Sequence, residues 1–118
     1  MYTWGISERK ITCHVAKYLS LRRLVSTHVA NERVCTSRYG ALLKKMGLQA
    51  GTPDFIVFSP GKKHAILLLE LKTVKGRLSE AQKAFAERIK KNCPQIKWAC
   101  AYGFDEAVEI IERYIDGR

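Results

Sequence analysis

The run HAILLLELKTV, from His64 to Val74, is the most apolar part of the chain, yet it contains Glu70 and Lys72. A strand that is apolar on both sides belongs inside a sheet with helices on both faces, because a strand with one solvated face alternates apolar and polar residues. Charged groups are seldom buried without a partner, since moving an unpaired ion out of water costs several kcal/mol. The run therefore predicts a central strand with a compensated pair of charges near its end.

Helix and strand patterns alternate around this run in the order α, β, α, β, β, α, β, α. Ile11, Val15 and Leu19 recur at helical spacing, which predicts a first helix from about Ser7 to Ser20. The other predicted elements are a strand over 24–30, a helix ended by Gly47, a strand at DFIVF, a helix behind a Ser79 and Gln82 capping box, a strand at IKWACAY, and a last helix capped by Asp105. The turn SPGKK joins DFIVF to the apolar run as a hairpin. We expect one α/β domain over residues 1–118, with a short mixed sheet of about four strands flanked by helices.

Net charge is the compositional feature that most limits the choice of partner. Twenty-one Lys and Arg oppose 11 Asp and Glu, and the resulting charge of +10 attracts polyanions such as nucleic acid or an anionic membrane surface. No apolar run approaches the ~20 residues of a membrane span, and MYTWGISERK lacks the apolar core of a secretory signal. We therefore expect an intracellular, cytoplasmic protein without a membrane partner. Its scattered cysteines contain no C-x-x-C pair, which favours free buried thiols over a zinc site.

The residues that carry chemistry are predicted to converge at one end of the hairpin. Side chains two apart in a strand point to the same face, so Glu70 and Lys72 lie together, and hairpin pairing brings Asp54 close to Glu70. Adjacent carboxylates repel each other unless a counter-ion intervenes, and magnesium binds carboxylates, water and substrate phosphate oxygens. Together with the positive charge of the chain, this arrangement suggests phosphodiester hydrolysis, with Lys72 holding the attacking water or stabilising the transition state.

The same residues also allow a purely structural interpretation. Glu70 and Lys72 would then form a same-face ion pair at a strand end, and Asp54 would cap or line the turn after Pro53. The spacing of these residues does not decide between the two interpretations.

A longer pattern surrounds the three charged residues. It consists of Gly-x-Pro-Asp, a hydrophobic strand ending in Glu-x-Lys, and GRLSEAQKAF, and its members are Gly51, Pro53, Asp54, Glu70, Lys72, Gly76, Arg77, Leu78, Ser79 and Gln82. The pattern resembles the VRR-NUC family, a branch of the PD-(D/E)XK nucleases with a restriction-endonuclease-like fold. It is most similar to small stand-alone members of phage and bacterial type, which resemble Holliday-junction resolvases. The likeness extends from about Glu8 to the last predicted helix.

The resemblance implies a role for each residue of the site. Asp54 and Glu70 would be direct metal ligands, the backbone carbonyl of Leu71 a third ligand, and Lys72 the catalytic lysine. Mg²⁺ would be the cofactor, and Mn²⁺ would replace it. Glu8 matches an acidic residue that family members carry on the first helix and would join the metal ligands, although an acid favoured by the helix dipole would look the same.

Two further matches are open to more than one interpretation. Gln82 matches a glutamine beside the family's active site, and it also suits the capping box, which needs it only to satisfy a backbone N–H. Asn31 and Glu32 match a pair found in many stand-alone members, and the match does not indicate a role for them.

Basic residues beside the predicted site are candidates for phosphate contacts. Lys75 and Arg77 follow the Glu-x-Lys strand and precede the helix behind Ser79, whose N-terminus favours anions. The other candidates are Arg38, Lys44, Lys45 and Lys83. Because the sequence has no zinc finger, RRM signature or aromatic stacking platform, we expect recognition of the DNA backbone rather than of base sequence.

The resemblance thus implies a metal-dependent, structure-selective DNA endonuclease that cleaves branched DNA such as Holliday junctions, in DNA repair or recombination. One chain has one metal site, so cutting two strands would require a homodimer. Two alternatives stay open. The chain could be a basic nucleic-acid-binding module without activity, or a nicking or end-processing nuclease subunit of a larger complex.

Overall fold

The computed structural model describes residues 7–29 and 37–118. Within these ranges, helices and strands follow one another in the predicted order, and a mixed sheet lies between the helices. The elements are α1 (Glu8–Leu21), β1 (Ser26–His28), α2 (Ser37–Lys45), β2 (Phe55–Val57), β3 (Ile66–Lys72), α3 (Glu80–Asn92), β4 (Ile96–Tyr102) and α4 (Phe104–Asp116). The predicted α/β class with a short mixed sheet is confirmed.

The sheet has the strand order β1, β2, β3, β4. β2 is antiparallel to both β1 and β3, whereas β3 and β4 are parallel. The β2–β3 pair is the predicted hairpin, with Phe55 opposite Leu69 and Val57 opposite Leu67. Parallel neighbours need a crossover connection, which α3 provides between β3 and β4. The apolar run therefore forms an interior strand, with a hydrogen-bonded neighbour on each side.

One face of the sheet carries the hydrophobic core. Leu67, Leu69 and Leu71 of β3 are fully buried and pack with apolar residues of α1 and α4. The predicted stripe of α1 is buried at the same interface and consists of Ile11, Val15 and Leu19. Burying one such side chain contributes about 1.5–3 kcal/mol. These alternate leucines therefore determine which face of β3 turns towards the core.

The opposite face of β3 turns towards α3. It presents Leu68, Glu70 and Lys72, and the residues of β4 in register with them are Trp98, Cys100 and Tyr102. The buried residues of α3 are Gln82 and Ala86. The charged pair thus shares the face that α3 covers, which explains why β3 is buried on both sides while carrying two charges.

Two details of the sequence-based prediction are wrong. The last helix begins at Phe104 after an N-cap at Gly103, so Asp105 lies in the first turn and does not cap the helix. The backbone of Gly103 makes the turn out of β4 with a φ of 100°, which favours glycine over a capping acid. Cys13 is exposed rather than buried, whereas Cys93 and Cys100 are half-buried.

The first strand is shorter than predicted, and the residues that follow it lie partly outside the described ranges. The first strand covers Ser26–His28, within the predicted 24–30. Asn31 and Glu32 lie outside the described residues, so their role stays a prediction. Among the described helices, none has the length and apolarity that crossing a bilayer requires.

Gly51 provides a test of how the loop before β2 packs on α3. Its φ is +84°, and an added Cβ would lie 2.3 Å from the backbone oxygen of Ala81, whereas Gly47 has a φ of +105° and open space around it. We expect Gly47→Ala to lower the free energy of unfolding by about 1–2 kcal/mol through backbone strain alone. Gly51→Ala should lose roughly 1–3 kcal/mol more, because the backbone of α3 must move.

Urea denaturation of both variants measures this difference. Equal losses for the two alanine variants would contradict the close packing of the loop against α3.

Candidate active site

Asp54 lies directly before β2 and across the hairpin from Glu70. Phe55 pairs with Leu69, so the next position outward places Asp54 opposite Glu70 on the same face. The side chain of Asp54 is buried, and its Oδ2 accepts a hydrogen bond from the backbone N–H of Leu71 at 2.8 Å. Its backbone carbonyl accepts a hydrogen bond from Val29 N at 2.7 Å. These contacts hold both the main chain and the carboxylate of Asp54 against the sheet.

Glu70 is the most deeply buried charged residue of this face, with a relative exposure of 0%. Its Oε2 lies 3.8 Å from Nζ of Lys72 and accepts a hydrogen bond from Nε2 of Gln82 at 3.0 Å. Lys72 is 6% exposed. Taking two ions out of water is costly, and one ion pair at this distance returns only part of the loss. Lys72 and Gln82 together therefore compensate part of the buried charge of Glu70.

Gln82 forms the predicted capping box and also contacts Glu70, whereas its role beside an active site stays a prediction. The Ser79 hydroxyl accepts a hydrogen bond from the Gln82 backbone N–H at 3.1 Å, and Gln82 Oε1 accepts one from Ser79 N at 2.8 Å. This capping box uses the amide oxygen, which leaves the amide nitrogen to donate to Glu70. One side chain thereby joins the beginning of α3 to the buried carboxylate.

The loop after β3 turns back over Lys72. Gly76 N donates to Thr73 O at 2.9 Å, which closes a turn. A Cβ at Gly76 would lie 3.2 Å from Cβ of Lys72, so the loop backbone runs along the lysine stem. Lys75 and Arg77 are exposed on this loop, beside the buried site. The glycine thus allows the loop to pack closely while presenting two basic residues to solvent.

Of the two other predicted metal ligands, Leu71 contacts Asp54, whereas Glu8 lies at the start of α1. Leu71 N is bonded to Asp54, so the main chain of Leu71 lies at the site. Glu8 is half-buried at the start of α1. Ile11 of the same helix and Val74 line one cavity of about 320 Å³, which puts the beginning of α1 near the end of β3. The described residues contain no group of three or more His, Cys, Asp or Glu placed to hold a metal, so the ligand role of Glu8 stays a prediction.

The other predicted phosphate contacts lie on helices. Arg38, Lys44 and Lys45 are exposed on α2, and Lys83 is exposed on α3, where it forms a salt bridge of 3.2 Å with Glu80. The structure therefore groups Lys75 and Arg77 with the buried acids and places the remaining basic candidates on the surrounding helices.

Cys100 is a member of this site that sequence reasoning missed. It stands in register with Glu70 on β4, and burial raises the pKa of its thiol to about 11. The neutral thiol adds a small, weakly polar wall beside the carboxylate. Strand alternation in IKWACAY would have placed Cys100 on the same face as Trp98 and Tyr102. It could not have shown which residue of β3 lies next to it.

The donor set fits a hard divalent cation. Asp54 and Glu70 offer carboxylate oxygens from opposite strands of one hairpin, and both are held by N–H donors that leave further oxygen lone pairs. Magnesium characteristically takes one or two carboxylates and completes its shell with water and phosphate oxygens.

Alanine variants of Gln82 and Ser79 separate the stability that comes from the helix cap from the stability that comes from the hydrogen bond between Gln82 and Glu70. Ser79→Ala should lower the free energy of unfolding by about 0.5–2 kcal/mol through loss of the cap. Gln82→Ala should lower it by roughly 1.5–3 kcal/mol more, because a hydrogen bond to a buried carboxylate is also lost. Chemical denaturation without metal, with Lys83→Ala as an exposed control on α3, measures both. Equal effects would mean that Gln82 acts through the cap alone.

Comparison with known proteins identifies the family of the chain. The VRR-NUC domain profile matches residues 7–105. A solved structure described as a VRR_NUC domain protein aligns with a TM-score of 0.78 at 24% identity, over 94% of this chain and 89% of that one. A second, described as a VRR_NUC domain, aligns with a TM-score of 0.60 at 17% identity, over 91% and 96%. No curated protein is a significant match. The chain therefore belongs to the VRR-NUC domain family, a family with a nuclease-type function.

Proposed function

We propose that the protein is a metal-dependent, structure-selective DNA endonuclease that cleaves phosphodiester bonds in branched DNA such as Holliday junctions. The observation that carries this proposal is the convergence of Asp54, Glu70 and Lys72 on one buried face at the end of the hairpin. Family membership supports the nuclease class. The metal and the preferred DNA structure are inferences from the chemistry of the site and from the charge of the chain.

The residues of the site divide the work of hydrolysis among them. Asp54 and Glu70, with the Leu71 carbonyl, would hold a magnesium ion, and Mn²⁺ would fit the same oxygens. When bound, the ion supplies Lewis acidity, which lowers the pKa of a coordinated water and offsets charge on the phosphate. Lys72 Nζ lies beside Glu70 and would orient the attacking water or stabilise the charge that develops on the phosphate. Gln82 would act as a positioning residue by holding the Glu70 carboxylate.

The basic residues around the site would hold the DNA backbone. Lys75 and Arg77 are exposed on the loop that crosses Lys72, next to the N-terminus of α3. Backbone N–H groups at a helix N-terminus and basic side chains both favour phosphate. The excess of positive charge, +10 over the chain, supplies sequence-independent attraction to DNA. Arg38, Lys44, Lys45 and Lys83 would add contacts from the helices.

Cleavage of a four-way junction requires two incisions. One chain offers one pair of buried carboxylates in the described residues, so we propose that a homodimer presents two sites to two strands of a junction. Symmetric DNA is commonly matched by a protein dimer with two-fold symmetry.

The catalytic proposal is tested by comparing Asp54→Asn with Asp105→Asn. Asp105 is an exposed acid in the first turn of α4, so both substitutions remove one negative charge. In magnesium, Asp54→Asn should cut a labelled four-way junction at least about 100-fold more slowly, whereas Asp105→Asn should stay close to the unmodified protein. Calcium, which supports binding without cutting in this scheme, separates DNA affinity from cleavage. Binding without any cleavage in magnesium or manganese would favour a non-catalytic DNA-binding module.

Substrate selectivity is tested by comparing DNA structures, and dimerisation by mixing unmodified and inactive chains. Linear duplex, flap and four-way junction are compared at equal ionic strength, and the junction should be cut fastest. Mixing unmodified chain with Asp54→Asn in excess should convert paired incisions into single nicks, because each site cuts one strand. Equal cutting of all three substrates would exclude junction selectivity and favour the nicking or end-processing role. A monomer in sedimentation with junction DNA would contradict the dimer.

A further inference from the structure

A second concave site lies at the opposite end of the sheet from Asp54 and Glu70. A cavity of about 400 Å³ opens between α4 and the beginnings of β3 and β4. Its walls come from the turn before β3, from β4 and from the last turns of α4, and they include Lys63, His64, Lys97, Arg113 and Arg118. Ligand cavities typically measure about 300–1,000 Å³, so this one has room for a small ligand group.

The lining of the cavity is strongly basic. None of the described residues that line it is Asp or Glu, while four carry a permanent positive charge. Arg113 is paired with Glu109 at 2.7 Å, and Arg118 with Asp116 at 3.1 Å. Neither Lys63 nor Lys97 forms a salt bridge with any residue that the structure describes. The cavity therefore holds more positive charge than its neighbours neutralise, and concave walls of low dielectric concentrate that field.

The position of the cavity separates it from the candidate active site. β3 is seven residues long, with Lys72 at its end and the cavity before its beginning. Ala99, which lines the cavity, is in register with Leu69, so the sheet itself rather than distance along β3 separates that part of the cavity from Glu70. Lys97 and Ala99 line the cavity from the α4 side of the sheet, whereas Glu70 faces α3. A phosphate in this cavity could not be the one that is cut.

We propose that this cavity is a second anion site that binds a phosphate group, carried either by a nucleotide or by a segment of DNA distant from the cleaved bond. Guanidinium groups match phosphate oxygens in shape as well as in charge, and those of Arg113 and Arg118, each paired with an acid through Nη2, have further N–H donors for a phosphate. Ala99 and Ile110 form an apolar wall that suits a sugar or base attached to the phosphate. The site is independent of catalysis, because none of its residues belongs to the proposed active site.

The test uses the full chain with Lys63→Ala/Lys97→Ala and a matched control, Lys10→Ala/Lys17→Ala. The control removes two lysines from exposed positions of α1 that do not line the cavity. Amide chemical shifts are followed during titration with inorganic phosphate and with dAMP. We expect saturable shifts around residues 63, 97 and 113, with affinity at least about tenfold weaker in the cavity variant and unchanged in the control.

A second arm distinguishes a nucleotide from DNA as the source of the phosphate. The affinity for a four-way junction is measured in calcium across a salt series. If DNA occupies the cavity, the cavity variant should lower the log–log salt slope by about 2 relative to the control. Weaker binding of phosphate or dAMP by the cavity variant alone supports the site with a nucleotide as its ligand. A lower salt slope for the junction in the cavity variant alone supports the site with DNA as its ligand. The proposal is overturned if phosphate and dAMP give no shifts at the cavity and both double variants bind the junction alike.

Discussion

The structure depends on compensating two carboxylates, Asp54 and Glu70, that are buried at the end of the β2–β3 hairpin. Residues directly opposite in neighbouring strands lie about 5 Å apart, and at that distance two like charges repel by roughly 3 kcal/mol in a partly polar interior. A hydrogen bond to a charged group contributes roughly 1.5–3 kcal/mol. Asp54 accepts a hydrogen bond from Leu71 N, and Glu70 accepts one from Gln82 and forms an ion pair with Lys72. Together these interactions are large enough to offset the repulsion between the two carboxylates.

The elements around these acids are organised by close backbone approach. Gly51 lets the loop before β2 meet the first turn of α3, and Gly76 lets the loop after β3 run along the stem of Lys72. Each glycine thus brings a segment of main chain within reach of the site. The leucines on the other side of β3 supply the burial that holds this arrangement in place. One strand therefore serves the core with one face and the chemistry with the other.

Acidic and basic groups are concentrated in different parts of the molecule. The hairpin end holds buried acids, whereas the cavity beside α4 has a basic lining. An excess of positive charge spread evenly would give only general attraction to nucleic acid. Concentrating cations in a cavity on the far side of the sheet would allow a second phosphate to bind without competing with the scissile one.

Much of this architecture follows from the sequence because it rests on local rules. The 3.6-residue and two-residue periods placed the helices and strands, the Ser79 and Gln82 pair predicted the capping box, and the turn SPGKK predicted the hairpin. Hairpin pairing, in turn, put Asp54 opposite Glu70. The predicted cap at Asp105 was wrong, because Gly103 is the N-cap and its φ of 100°, which glycine adopts readily, turns the chain into α4 two residues earlier.

Contacts between β3 and β4, and between the sheet and the helices, could not be predicted from the sequence. It determined the identity of the charged residues, their spacing along the chain and the apolar run that buries them. Only the tertiary structure decided that Cys100 stands beside Glu70, that Gln82 reaches the same carboxylate, and that Lys63 and Lys97 share a cavity with the end of α4. The reason is physical: periodicity fixes which way a side chain points within its own element, whereas the register of parallel strands and the seating of a helix depend on packing among residues far apart in the chain.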